Sequence, residues 1–431
     1  MDMNIFDFLN SSYTQFHSVK VMKDILLSNG FKELEEGTKF ELKENEKYFV
    51  VRNLTSILAF KTPNKFSKES HFQIMASHSD SPCFKLKENI ESTSAGVKKL
   101  TVEPYGGLIH SVWLDKPLSI AGRIVVKKDN IIDSRLVSFD KNLCIIPNVA
   151  IHLNHSINDG NKYNPQTQLS PIFAGEEEPN SIKDLLKPFI KEDEELMSYD
   201  LYLYNRDKAS FIGMNDEFIA SPKLDDLACA YSSLMGFLQA KSTQNFNIFV
   251  CFDNEEVGSM SINGADSDFL EQSLKRMYFA FNKDEEDYIA SLASSSLISG
   301  DNAHATHPNY PELSEPNSPV ILNKGIVVKH NANMRYCSDA LSSSLIKELC
   351  KENNLKYQDY FNRSDIRGGS TLGNISITKV SILSVDIGLA QLAMHSNYET
   401  MGSKDYLDLI TLSKAYYEKN IEVKNSSLSF K

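Results

Sequence analysis

Apolar residues recur at helical spacing near the start of the chain: Val19, Met22, Ile25 and Leu26 share one face. Ser18 is the expected N-cap of this helix, and Asn29-Gly30 the expected stop. Apolar runs of strand length follow at 47–51, 56–60 and 72–76, the last leading straight into Ser77-His78-Ser79-Asp80. From about residue 90 the texture changes. Short β-rich segments at 99–102, 107–112, 118–126 and 136–138 are broken by Gly, Asn and Asp turns and by Pro104 and Pro117. This predicts a compact β domain, closed by an acidic, loop-like stretch through 176–178 and 191–195 ahead of Ser221-Pro222. Beyond residue 222 the pattern alternates again, with helices predicted over 225–239, 268–276, 342–352 and 406–417. Extended segments are expected at 246–252, 326–329, 376–380 and 381–385. Alternation of this kind predicts an α/β sandwich. The order suggests a catalytic domain in two parts, 1–89 and 222–431, carrying an inserted β-rich domain at 90–221.

Composition narrows the class. The 431 residues are 41% hydrophobic and 24% charged, as in ordinary globular proteins. No apolar run approaches the ~20 residues needed to span a bilayer. Asp2, Asp7, Lys20, Lys23 and Asp24 interrupt the first thirty residues, unlike a signal peptide. A cytoplasmic location is therefore expected. The 45 basic and 57 acidic residues leave a charge of −12 without a basic cluster, which offers nucleic acid no footprint. The six cysteines (83, 144, 229, 251, 337 and 350) are widely spaced, with no CxxC pair, and read as free thiols of a reducing compartment.

Several catalytic signatures are absent: G-x-S-x-G, the Walker loop, G-x-G-x-x-G and H-E-x-x-H. What stands at predicted strand ends is a set of histidines and carboxylates. His78 and Asp80 follow one strand; Asp253, Glu255 and Glu256 follow another; Asp301 and His304 share a loop. His395 follows a charge-poor segment, and Asp225-Asp226 open a helix. Singly, each has a plain alternative, such as a structural histidine or an acidic pair favoured by the helix dipole. Together, at one sheet edge, they would bury carboxylate charge that needs a counter-ion. Two divalent metals would supply it. In such a site one carboxylate bridges the metals, a water between them is acidified, and an unligated neighbouring Glu serves as general base. Adjacent Glu255-Glu256 suits that division of labour. The residues alone thus point to a metal-dependent hydrolase.

Seven strings then carry a family resemblance: ASHSDSPCFKLK (76–87), EPYGGLIHSVWLDKPLSIAGR (103–123), NVAIHLN (148–154), SPKLDDL (221–227), DNEEVGS (253–259), SGDNAHATHPNY (299–310) and AMHSNYE (393–399). In these the chain resembles the dinuclear zinc aminopeptidases of the aspartyl aminopeptidase and vacuolar aminopeptidase I family, along its whole length. The resemblance implies an α/β/α zinc-exopeptidase sandwich with an inserted β-rich dimerisation domain. It implies two Zn²⁺ per subunit, with Mn²⁺ or Co²⁺ as possible substitutes, and dodecamers built from dimers. By the same resemblance Asp225 bridges, His78 and Asp301 complete one metal's ligands, and Glu256 and His395 the other's. Glu255 matches the general base, and Asp80 the carboxylate that orients His78. His152 matches a residue that reaches a neighbouring subunit's site, while His304, Lys329 and Tyr336 match the substrate pocket. The implied activity is removal of an N-terminal residue from peptides, with acidic residues preferred. Alternatives are a neutral or broad preference at the same site, or a catalytically weak oligomeric scaffold. Two departures stand out. Asp226 replaces a frequent Asn and is expected to point away and cap its helix. GGSTLGN at 368–374 replaces C-G-S-T-I-G-P, which leaves the pocket's shape open.

Overall fold

The computed structural model describes residues 3–179 and 181–430, and among them the strands form nine-, six-, five- and two-stranded sheets in a mixed α/β fold. The nine-stranded sheet runs in the order Lys32–Glu33, Lys47–Arg52, Ser56–Lys61, Phe246–Phe252, Phe72–His78, Ser296–Gly300, Leu383–Gly388, Ile326–His330, Tyr357–Phe361. Its central strands are parallel neighbours. Alternate residues of the same strands enter two separate cores. Phe49, Ile57, Met75 and Phe249 pack with the helices Gln15–Ser28, Leu224–Gln239 and Asp405–Glu418. Val50, Leu58, Ile74 and Val250 pack with Phe269–Ala280 and Glu285–Leu292 on the other face. Strands covered on both faces read as unbroken apolar runs, which is why 246–252 was legible residue for residue.

The six-stranded antiparallel sheet follows the order Ile131–Ser138, Leu118–Lys128, Glu195–Asn205, Cys83–Ser94, Val97–Tyr105, Ile172–Gly175 and has its own core around Phe84, Trp113, Ile120 and Leu201. The expected junction at 89/90 falls inside the strand Cys83–Ser94, while that at 221/222 falls at the end of Phe218–Ser221. The five-stranded sheet joins Ser210–Ile212, Phe218–Ser221, Glu399–Gly402, Ala390–Leu392 and Ala303–His304. It thereby ties together the segments that carry Asp225, Asp301 and His395.

Several local expectations are corrected. The first long helix starts at Gln15 with Thr14 as N-cap; Ser18 lies inside it and bonds back to the Thr14 carbonyl at 3.0 Å. Phe16 extends the buried face one turn upstream. Residues 107–112 are not a strand. Ile109 N–H bonds to the His395 carbonyl at 3.1 Å, and His110–Trp113 form one 3-10 turn that seats Trp113 against Phe84. Residues 376–380 are not extended either: the helix Leu372–Ser376 ends in a turn closed by Val380 N–H to Ser376 O at 2.9 Å. Asn374, standing where the related pattern has Pro, accepts the Thr371 N–H at 3.1 Å and completes a capping box there. The supposedly loop-like stretch holds the helix Ile182–Leu186 and runs into the strand Glu195–Asn205.

Candidate active site

Three parallel strands end side by side, and each delivers a functional loop. Phe252 pairs with His78, so the chain turns at one edge into Glu255-Glu256 from one strand and sets His78 at the end of the next. Ser296–Gly300, the following neighbour, delivers Asp301. Asp225 comes from the first turn of Leu224–Gln239, whose opening Asp225–Asp226 peptide is cis. Lys223, Asn254 and His395 all adopt left-handed backbone conformations (φ 60°, 61° and 66°). Non-glycine residues rarely do so, and such positions concentrate where a chain is bent to aim a side chain.

The buried His78 Nε2 lies 3.6 Å from Asp225 Oδ1 and 3.9 Å from Asp301 Oδ1. On the other side His395 Nε2 lies 3.6 Å from Asp225 Oδ2 and 3.3 Å from Glu256 Oε2. One carboxylate therefore turns one oxygen to each of two ligand groups, His78/Asp301 and Glu256/His395. Both rings are held in a fixed tautomer. His78 Nδ1 lies 3.2 Å from the Asp80 carbonyl and His395 Nδ1 3.0 Å from the Gly107 carbonyl. A carbonyl only accepts, so each Nδ1 carries a proton and each Nε2 faces inward, where a metal would take its lone pair.

A further layer holds the loops. Asp80 accepts from the Tyr105 hydroxyl at 2.7 Å and from the backbone N–H groups of Glu255 and Glu256 at 3.2 Å each. Glu399 accepts the Asp225 N–H at 3.0 Å with one oxygen and the His395 N–H at 2.8 Å with the other. Tyr105, Gly107 and Glu399 were not singled out from sequence. Glu399 lies four residues after His395 inside the string AMHSNYE, but nothing in that spacing showed that it also reaches Asp225. Asp226 departs from expectation. It does not cap its helix; its buried carboxylate accepts the His78 N–H at 3.2 Å.

The electrostatics match a cation cradle. His78 Nε2, Asp225 Oδ1 and Glu256 Oε1 are buried without a hydrogen-bond partner. Burial, reinforced by Asp225, pushes the Glu256 carboxyl well above its ordinary range. Burial likewise lifts Glu255 to about 8, with Asp301 and Asp80 adding and His78 opposing. Burial opposes protonation of His78, yet the Asp225 and Asp80 carboxylates hold it well above its ordinary value. Surplus negative charge that clings to protons, around inward-facing oxygen and nitrogen donors, fits zinc. His78, Asp225 and Asp301 form one candidate metal site.

Of the remaining expected residues, His304, Lys329 and Tyr336 line the cavity in front of this cradle. Lys329 is buried and paired with Asp301 at 3.3 Å, its ammonium 5.5 Å from the centre of the Tyr336 ring. His152 is elsewhere: it sits in the exposed turn Ile151–Leu153, outside the residues lining the cavity.

The family model described as aminopeptidase I zinc metalloprotease (M18) matches residues 8–417. The "Probable M18 family aminopeptidase 2" of Clostridium novyi is 41% identical over 421 residues, 96% of this chain and 97% of the relative. Its namesake in Clostridium acetobutylicum is 40% identical over 426 residues, covering 97% and 96%. Among solved structures, the Ape4 and Nbr1 complex contains a chain that superposes with a TM-score of 0.91 at 31% identity, covering 96% of this chain and 84% of that one. The S. cerevisiae mApe1 dodecamer superposes with 0.83 at 27% identity, covering 96% and 95%.

Proposed function

The chain belongs to the M18 aminopeptidase family of zinc metalloproteases, and from that premise we propose a dinuclear zinc aminopeptidase in which Glu255 is the general base. The observation that carries this reading is the division of Asp225, one oxygen toward His78 and Asp301 and the other toward His395 and Glu256. These five residues would hold two zinc ions, with Asp225 shared. Bound there, zinc supplies Lewis acidity, polarising the scissile carbonyl and making water easier to deprotonate. Glu255 lines the cavity beside them, its carboxylate within 4.8 Å of a His78 ring nitrogen. It takes the proton from the attacking water and passes it to the departing amine. Asp80 and Glu399 act by fixing the loops, each holding two of these residues through the backbone.

The preferred first residue is acidic on this reading, because Lys329 is, among the described residues, the one Lys or Arg lining the cavity and Tyr336 stands beside it. The 3.3 Å pairing of Lys329 with Asp301 spends part of that charge. It favours a second reading, with a neutral or broad preference. His152 is proposed to act in a neighbouring copy's site, supported by the exposed apolar residues around it, Val149, Ile151 and Leu153. The assembly proposed is a dodecamer of dimers joined through the inserted β-rich domain, by analogy with the yeast dodecamer. A cytoplasmic location suits six cysteines that are all free; no helix of the described residues is long and apolar enough to cross a membrane.

The experiment is a panel of Asp-, Glu-, Leu-, Ala- and Lys-anilides, run untreated, after chelation, and after zinc, manganese or cobalt is restored. Chelator-sensitive cleavage led by Asp or Glu is expected. Cleavage led by Leu would discard the acidic pocket. Glu255→Gln should keep its metal and lose turnover by about 10²–10⁴-fold, the usual contribution of a positioned base. An active Glu255→Gln would remove the base assignment.

A further inference from the structure

The cavity in front of the cradle does not end there. It shares His304, Tyr360, Gly369 and Met394 with a second cavity of about 320 Å³ that opens toward the surface past Tyr310, Leu313 and Ile366. The two differ in sign. The first is walled by Asp225, Glu255, Glu256 and Asp301, whereas among the described residues no carboxylate lines the second, which presents Arg363, Arg367 and His307 instead. Arg363 is already neutralised by Asp365, through two contacts at 2.9 and 2.8 Å. Arg367 makes no ion pair or hydrogen bond among the described residues, on a chain whose net charge is −12. Its root is fixed. A Cβ at Gly368 would come within 2.4 Å of Asn362 Oδ1, so the backbone packs closely against the end of the strand Tyr357–Phe361.

The two linings also differ in the exposure of their side chains. Lys329, Tyr336 and Thr371, which line the first cavity, are buried at 3%, 5% and 2% exposure. The second is bordered by Tyr310 and Leu313 at 54% and 59% exposure and has room for more chain. A peptide with its first residue beside Lys329 and its scissile carbonyl at the cradle can continue into the second cavity, which the shared lining joins to the first.

We propose that this annex is the subsite for the leaving chain, in which Arg367 binds a carboxylate of the peptide beyond the scissile bond. The inference rests on the aminopeptidase reading. The carboxylate is either an acidic side chain at the second or third position or the C-terminus of a dipeptide. Arg367 is then a specificity residue that favours acidic leaving fragments independently of the first residue.

The test compares kcat/KM for X-Asp-Ala-amide and X-Ala-Asp-amide against X-Ala-Ala-amide, and for X-Ala free acid against X-Ala-amide, with X as Glu and then as Ala. The tripeptides report a side-chain source and the dipeptides a terminal one. Carboxylate-bearing fragments should gain about tenfold through KM, the effect of one charge-assisted contact at an exposed site, and the gain should shrink with salt. Arg367→Ala should bring the ratio to about one, Arg367→Lys should keep most of it, and Arg367→Glu should turn the preference toward X-Lys-Ala-amide. A ratio of one in the unmodified protein, or a tenfold ratio that survives Arg367→Ala, overturns the inference while leaving the aminopeptidase reading intact. If no peptide is cleaved, the aminopeptidase reading itself falls and takes the subsite with it.

Discussion

Glu399 is where the account can be pressed hardest, because it touches no substrate and was invisible in the sequence. Its two oxygens accept the N–H groups of Asp225 and His395 at 3.0 and 2.8 Å, one each, inside a site where Glu399 is 1% exposed. Glu399→Gln preserves shape but turns one acceptor into an NH₂ that faces an N–H. One bond is lost and one buried donor is left unpaired, a cost of about 1–3 kcal/mol. At 1.4 kcal/mol per tenfold, that is roughly 5- to 150-fold in an equilibrium constant. Because the bond holds the backbone of a proposed zinc ligand, the loss should fall on zinc affinity, in line with the tenfold to hundredfold effects of outer-layer partners. The assay is zinc titration against a chromophoric chelator, with turnover then measured at saturating zinc. Affinity should drop within that range while saturated kcat stays within about threefold, since no reacting group has changed. Zinc affinity within twofold of the unmodified protein would refute the reasoning, and so would loss of kcat at full zinc occupancy.

Two further predictions concern the scaffold. Lys61, 2% exposed, donates to the Phe237, Leu238 and Ala240 carbonyls at the end of the helix Leu224–Gln239. Lys61→Met should cost about 2–4 kcal/mol by leaving those acceptors unpaired, read as a lower urea midpoint; an unchanged midpoint would mean the carbonyls find other partners. Burial lifts the Asp405 carboxyl to about 6, against the N–H groups of Gly325 and Asn323 that it accepts. A raised folded value means the native state holds its proton longer than the unfolded chain. The stability this contributes is fully present below about pH 4 and is lost as pH rises through about 6. Asp405→Asn should therefore flatten the pH dependence of stability between pH 4 and 6 relative to the unmodified protein, and parallel curves would exclude Asp405 as its source.

Much of this molecule is legible without coordinates, for definite reasons. Central strands such as Phe246–Phe252 are buried on both faces and announce themselves as apolar runs. Strand ends then locate His78, Glu255, Glu256 and Asp301 at one edge, and the family strings add His395 and Asp225. What stayed hidden depends on contacts distant in sequence. The strand Glu195–Asn205 alternates polar and apolar residues, and only its pairing with Leu118–Lys128 and Cys83–Ser94 makes it central. Residues 107–112 have strand-like composition, but the pull of His395 on Gly107 and Ile109 bends them into the site. Asp226 looks like a helix cap by position, yet a bond to the His78 backbone draws it inward. The pairing of Lys329 with Asp301 could not be anticipated either, because they lie on separate loops and strands, and it changes the reading of the acidic pocket.

Sharing of Asp225 between two metals is tested by zinc content per chain, taken together with turnover, for the unmodified protein, Asp225→Ala and His395→Ala. The account predicts two zinc ions per chain in the unmodified protein, about one after His395→Ala, and loss of both metals and of activity together after Asp225→Ala. Two zinc ions retained after Asp225→Ala, in protein whose circular dichroism is unchanged, would contradict it.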